Sequence, residues 1–148
     1  MTRARAVVLV AFAAFAAVIA TGCGAHPELL VEKTLEARQK ALASLDVEGY
    51  VALFHPQYRY KPDSTQTIRS QTEQRFTKYR TIQLYTTNRR VTFEQDGEIA
   101  SVVQEFTLQA EMLDGQIVRH ADTEYFKLKR HRRWGLFTEY LFYEGLSV

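Results

Sequence analysis

Apolar and polar positions change rhythm several times along this chain. Ala6 to Ala20 form a fifteen-residue run with no polar side chain. From Glu28 to Leu45 the apolar residues Val31, Leu35, Ala41, Leu42 and Leu45 fall on a helical repeat while Glu and Lys fill the other face, which predicts an amphipathic helix led by Pro27. Asp46 is suited to cap a second, short helix from Val47 to Phe54 that Pro56 ends. Tyr58 and Tyr60 alternate with polar neighbours as a short strand, and Asp63 or Ser64 can start a third helix in which Ile68, Thr72, Phe76 and Tyr79 share a face. From Thr81 onward the period is two. Asp96-Gly97 and Asp114-Gly115 are hairpin signals, so strands are expected near 81–94, 98–113, 116–130 and 133–144. In the second of these Ala100, Val102, Phe106, Leu108, Ala110 and Met112 lie on one face, and Ser101, Glu105, Thr107, Gln109 and Glu111 on the other. The last strand opens at Trp134, whose phase predicts an inward position shared with Leu136, Thr138, Tyr140 and Phe142. Helices gathered before a four-stranded meander predict one α+β domain over residues 27–148.

Composition narrows the compartment more than the chemistry. The chain is 148 residues long, with a formal charge of +2 and a single cysteine. Arg3 and Arg5 account for both surplus positives, so the part that follows is balanced. Such a balance argues against a polyanion-binding protein that works through global charge, and nucleic acid is not an expected partner. Arg3 and Arg5, the apolar run and the small residues after it form a secretory signal pattern that is short for a permanent span. Ala20-Thr21-Gly22-Cys23 resembles the bacterial lipobox, with Ala20 where that pattern usually has Leu. The resemblance implies a signal peptide over 1–22, lipidation of Cys23, a short tether over 23–26 and a partner in the membrane itself. Gly24 stands where an inner-membrane retention signal would have Asp, which in a Gram-negative envelope implies the outer membrane, facing the periplasm. Lipid on Cys23 would also consume a thiol that is a liability in an oxidising compartment.

Two segments carry a family resemblance. Ala41 to Phe54, read Ala-Leu-Ala-Ser-Leu-Asp-Val-Glu-Gly-Tyr-Val-Ala-Leu-Phe, is similar to the first helix–helix corner of the nuclear transport factor 2-like (SnoaL-like) superfamily. Phe126 to Leu136, with Trp134 near its end, is similar to that family's last hairpin. The resemblance covers roughly 41–144 and implies a cone-shaped fold, a curved antiparallel sheet wrapped around the long helix with a pocket at the wide end.

Three groups of side chains are candidates for function. Tyr58, Tyr60, Phe76, Tyr79, Phe106, Phe126, Trp134 and Tyr140 fall on expected inward faces, where they either line a ligand pocket or fill the core. His120, Asp122 and Glu124 stand at two-residue spacing in phase with Phe126 and Leu128, an arrangement that suits a histidine base with a carboxylate orienter, or imidazole and carboxylate ligands. His26 and His55 are expected outside the sheet, and Tyr58 to Asp63 offers no inward carboxylate of the kind the family's isomerases and dehydratases use. Lys127, Lys129, Arg130, Arg132 and Arg133 crowd one hairpin tip, as a solvated turn or as a contact for anionic headgroups or an acidic partner. Phosphate loops, paired-cysteine sites and nucleophile elbows are absent from the sequence, and no cofactor or resident metal is expected. The expected function is a membrane-tethered, non-catalytic module that binds a small apolar ligand or an envelope protein. The alternatives are a small isomerase or dehydratase using His120 and Asp122, and a structural homodimer paired through the exposed sheet face.

Overall fold

The computed structural model describes residues 26–59 and 65–146. Residues 1–22, Cys23, the tether up to residue 25, and Tyr60 lie outside the described residues. Pro27 occupies the first turn of α1 (Pro27–Ala43), where its missing N–H costs nothing, with Glu28 near the positive end and Lys40 near the negative end. Its buried stripe is Val31, Thr34, Leu35, Arg38, Ala41 and Leu42. The chain turns at Leu45, which takes a left-handed backbone, and Asp46 then accepts the Gly49 N–H at 2.9 Å to start α2 (Val47–Val51). A Cβ on Gly49 would lie 2.3 Å from the Asp46 carboxylate, so a larger residue there would push the capping side chain aside. Helix α2 stops three residues short of expectation, and the chain leaves it as β1 (Phe54–Arg59). Helix α3 (Thr65–Phe76) buries Ile68, Thr72 and Phe76 one turn apart. No helix among the described residues is long and apolar enough to cross a membrane.

Four long strands follow: β2 (Tyr79–Glu94), β3 (Ile99–Met112), β4 (Ile117–Arg133) and β5 (Phe137–Glu144). The expected meander is present, but the sheet has five strands in the order β1-β5-β4-β3-β2, with β1 parallel to β5. His55 therefore lies within the sheet and is buried, which corrects its expected place outside. Only Lys127 to Arg133 of β4 pair with β5, so the first half of β4 pairs with β3 alone. Strand β2 holds a bulge between Thr87 and Arg90, which oppose Glu105 and Val103, with Asn88 at positive φ. The extra residue inverts the phase of the strand: Ile82 and Leu84 face inward before it, Val91 and Phe93 after it.

The curved sheet presents Ala100, Val102, Phe126, Leu128, Tyr140 and Phe142 to α1, and all are buried. Thr34 Oγ1 donates to the Tyr140 carbonyl at 2.6 Å and pins α1 across β5. Trp134 departs from its expected place. It sits in the β4–β5 turn with a left-handed backbone and is 82% exposed, while Leu136 and Thr138 are exposed as well. The strand begins only at Phe137, so alternation acquires meaning late, and Tyr140 and Phe142 alone of that series reach the core.

Candidate functional site

Side chains on the concave face of the sheet form two neighbouring zones. The first is a polar bridge. Arg38 lies on the buried stripe of α1, 6% exposed, and its two terminal nitrogens donate to Glu124 Oε1 and Oε2 at 2.7 and 3.1 Å. Gln104 Nε2 donates to the same Glu124 Oε1 at 2.6 Å, and Gln104 Oε1 accepts from Arg89 Nε, also at 2.6 Å. Arg89 pairs with Glu32 and donates to Thr86 Oγ1 at 2.8 Å. The β2 bulge makes this possible, since it turns Arg89 inward toward Gln104. The Arg38 guanidinium also lies 5.9 and 5.8 Å from the ring centres of Phe126 and Phe142. Burial works against its charge, but the Tyr50 phenol and the Glu124 carboxylate outweigh that penalty and hold its pKa above the usual arginine value. Arg38 Nε has no hydrogen-bond partner among the described residues.

The second zone is an apolar pocket of about 170 Å³ between the end of α1, α2, α3 and the inner faces of β2 and β3. Leu42, Tyr50, Phe76, Tyr79, Ile82, Leu108 and Ala110 line it, with Arg75 at one side. Tyr50 and Phe76 meet edge-on with centres 6.0 Å apart, which fixes one wall. His120 is the register partner of Leu108 and shares its face of the sheet, but it is exposed and rests against the Phe106 ring at 5.5 Å.

The expected His120–Asp122–Glu124 constellation lies on one face of β4, but the structure does not join it. Asp122 Oδ1 accepts its neighbour's Thr123 N–H at 2.7 Å instead of orienting His120, and Glu124 is held by Arg38 and Gln104. Among the described residues no three His, Cys, Asp or Glu side chains converge as metal ligands would. Of the expected pocket aromatics, Phe76 and Tyr79 line this pocket. Phe126 and Tyr140 are core, with the Tyr140 hydroxyl donating to the Gly97 carbonyl. Tyr58 packs edge-on against Phe54 and donates to the Leu146 carbonyl. Trp134 borders a different groove, beside α1.

The basic run divides between the two faces of β4, and most of it is engaged. Lys127 pairs with Glu94, Arg130 with Glu98, and Arg133 with Glu139. Lys129 donates to Gln57 Oε1 at 3.0 Å and lies over the Tyr143 ring. Close by, His55 stands edge-on to His131 and Tyr143 at 5.3 and 5.7 Å and accepts the Gln57 N–H at Nδ1. Burial, then the neighbouring His131 and Lys129, push its pKa below the ordinary imidazole value. Sequence reasoning missed Arg38, Gln104 and Arg89. One signal was available: Arg38 sits three residues after Leu35 and four before Leu42, a charged residue on the apolar stripe.

No protein-family model and no curated protein sequence matches the chain. Solved structures do match. A candidate aromatic ring hydroxylase from Novosphingobium aromaticivorans is similar at 17% identity and a TM-score of 0.70, covering 83% of this chain and 88% of the other. A candidate scytalone dehydratase from the same organism matches at 13% identity and a TM-score of 0.68, over 79% of each chain. A candidate dehydratase of the nuclear transport factor 2-like family from Streptomyces avermitilis matches at 12% identity and a TM-score of 0.62, over 81% of this chain and 97% of the other. With the helices gathered on one face of a curved sheet, these likenesses establish that the chain has the nuclear transport factor 2-like fold.

Proposed function

We propose that this chain is a lipid-tethered binding module whose concave pocket takes a small apolar ligand about the size of one aromatic ring. The pocket between α1, α3 and the β2–β3 face carries the reading: it is walled mainly by apolar and aromatic side chains, and its volume is close to that of an engineered ~150 Å³ cavity that takes up benzene. The adjoining carboxylate of Glu124 already accepts three hydrogen bonds, which leaves the site poor in free acid–base groups and favours binding over catalysis. Titration with toluene or indole, followed by NMR, tests it. Resonances of Ile82, Leu108 and Ala110 should shift, and Leu108→Trp, which fills the pocket, should abolish the shifts while the fold persists. Unperturbed pocket resonances with every one-ring probe would refute it.

A second reading, an isomerase or dehydratase, draws on His120, which shares a sheet face with the pocket residue Leu108, and on fold neighbours described as dehydratases. In that case His120→Ala would leave stability nearly unchanged and lower turnover of a hydroxy or carbonyl substrate by roughly 10²–10⁴. Support for the tether comes from Ala20-Thr21-Gly22-Cys23 and the balanced charge beyond it. Mass spectrometry of membrane fractions should find a mature chain starting at an acylated Cys23, and Cys23→Ser should move the protein into the soluble fraction.

A further inference from the structure

The exposed apolar side chains are not scattered evenly. Trp134, Leu136 and Phe137, 82, 80 and 61% exposed, form the β4–β5 tip, and Leu29, 63% exposed, lies in the first turn of α1. These two places are neighbours because α1 and β5 run alongside each other in the same direction, so that both begin at the same end. Phe142 lies beside Arg38, the Tyr140 carbonyl accepts from Thr34, and one step further Phe137 and Trp134 share a groove of about 370 Å³ with Leu30 and Lys33. Two residues of strand and four of helix advance by nearly the same ~6 Å, which keeps the pairing in step up to the tip. Lys33 follows Leu29 by four residues and so stands on the same side of α1.

We propose that this tip and the first turn of α1 are a second, direct membrane contact, with Trp134, Leu136 and Phe137 seated among lipid headgroups. The inference rests on the tether reading for one premise, that Cys23 is held in the bilayer. Three peptide steps separate Cys23 from His26, and they span at most about 11 Å in any conformation. The start of α1 is thus kept within reach of the interface, and the apolar tip beside it is the surface that must meet the lipid. An amphipathic aromatic at a membrane–water boundary suits Trp134, which presents a ring and one N–H donor. Contact is driven by apolar burial rather than by charge, since Arg133 and Arg130 are already paired with Glu139 and Glu98, leaving Arg132 and Lys33 for the headgroups.

Trp134 is the only tryptophan and Cys23 the only cysteine, so the chain carries its own reporter and its own attachment point. The chain from Cys23 onward, which contains the whole described core, can be coupled through that thiol to maleimide-headgroup lipid in phosphatidylcholine vesicles. This holds the domain at the surface whether or not cells lipidate Cys23, so failure of the tether reading, judged separately by the Cys23→Ser fractionation, does not decide the outcome. Trp134 emission should shift to the blue, be quenched by bromine placed high on the acyl chains, and persist at about 0.5 M salt. Leu136→Asp with Phe137→Asp should lose the shift while coupling and thermal melting stay intact. An emission still quenched freely by aqueous acrylamide on coupled vesicles would overturn the proposal. So would a shift that needs phosphatidylglycerol and vanishes in salt. A blue shift that grows with protein concentration in vesicle-free buffer would instead assign the patch to a second copy of the chain.

Discussion

Arg38 and Glu124 illustrate why a buried ion pair is judged by what happens when half of it is removed. Each side chain is largely hidden, and the two are joined at 2.7 Å. Replacing Arg38 by Met leaves Glu124 with Gln104 as its remaining hydrogen-bond donor in a poorly hydrated place, so stability should fall by about 3–5 kcal/mol in urea unfolding. Arg38→Met with Glu124→Leu should recover much of that loss, because the uncompensated charge is gone. His55 makes a pH prediction. Its Nδ1 accepts a backbone N–H, which a proton there would displace, and its folded pKa is lowered by burial, His131 and Lys129. A histidine with a lowered folded pKa binds its proton more readily when unfolded, where the ordinary value is about 6.5. Stability must therefore decline as pH falls through 6.5 toward the folded value and be unaffected by this group above neutrality. Urea midpoints measured from pH 8 to 5 should decline less steeply for His55→Asn than for the unaltered chain.

At the level of elements, the hairpin tip separates what periodicity can predict from what it cannot. Trp134→Ala should change the free energy of unfolding by less than about 0.5 kcal/mol, since the side chain is in solvent. Tyr140→Ala, six residues on, should cost about 3–5 kcal/mol through lost packing and the lost bond to the Gly97 carbonyl. Thermal melting of the two variants side by side checks both. The alternation Trp134, Leu136, Thr138, Tyr140, Phe142 was legible, but its inward phase holds only at Tyr140 and Phe142, the first three being exposed. The start of the strand was not legible, because a Trp-Gly turn with both residues at positive φ leaves no stronger mark in the sequence than a strand beginning would. The four long strands, α1, the Asp46 cap and both glycine turns were legible because each depends on local chemistry within a few residues.

For the whole molecule, the parts hidden from the sequence are those that depend on distant partners. Parallel pairing of β1 with β5 joins Phe54 to Phe142, and nothing near Phe54 announces that partner. The same holds for the polar bridge, whose members come from α1, β2, β3 and β4. His120, Asp122 and Glu124 were correctly read as sharing a face, since spacing determines that, but spacing could not tell that Arg38 would claim Glu124 or that Asp122 would bond its own neighbour. Cone-shaped folds make this gap wide: strand phase says which side is concave, while the helix laid across it decides which polar groups remain available.

The single extra residue in β2 has a consequence for how the chain finds its fold. The inside–outside order reverses at Asn88, so the bulge has one place on β3 at which both halves of the β2–β3 hairpin are in their native register. A slip of one residue turns the apolar side chains out into water, and a slip of two keeps them covered but carries the bulge past Glu105 and Val103 and takes Arg89 away from Gln104. Asn88 thus acts as a notch in a ratchet, giving a long hairpin one setting. Deleting Asn88 should put both halves in one phase, turning either Ile82 and Leu84 or Val91 and Phe93 toward water, with a lower urea midpoint and faster amide exchange along Arg89 to Glu94.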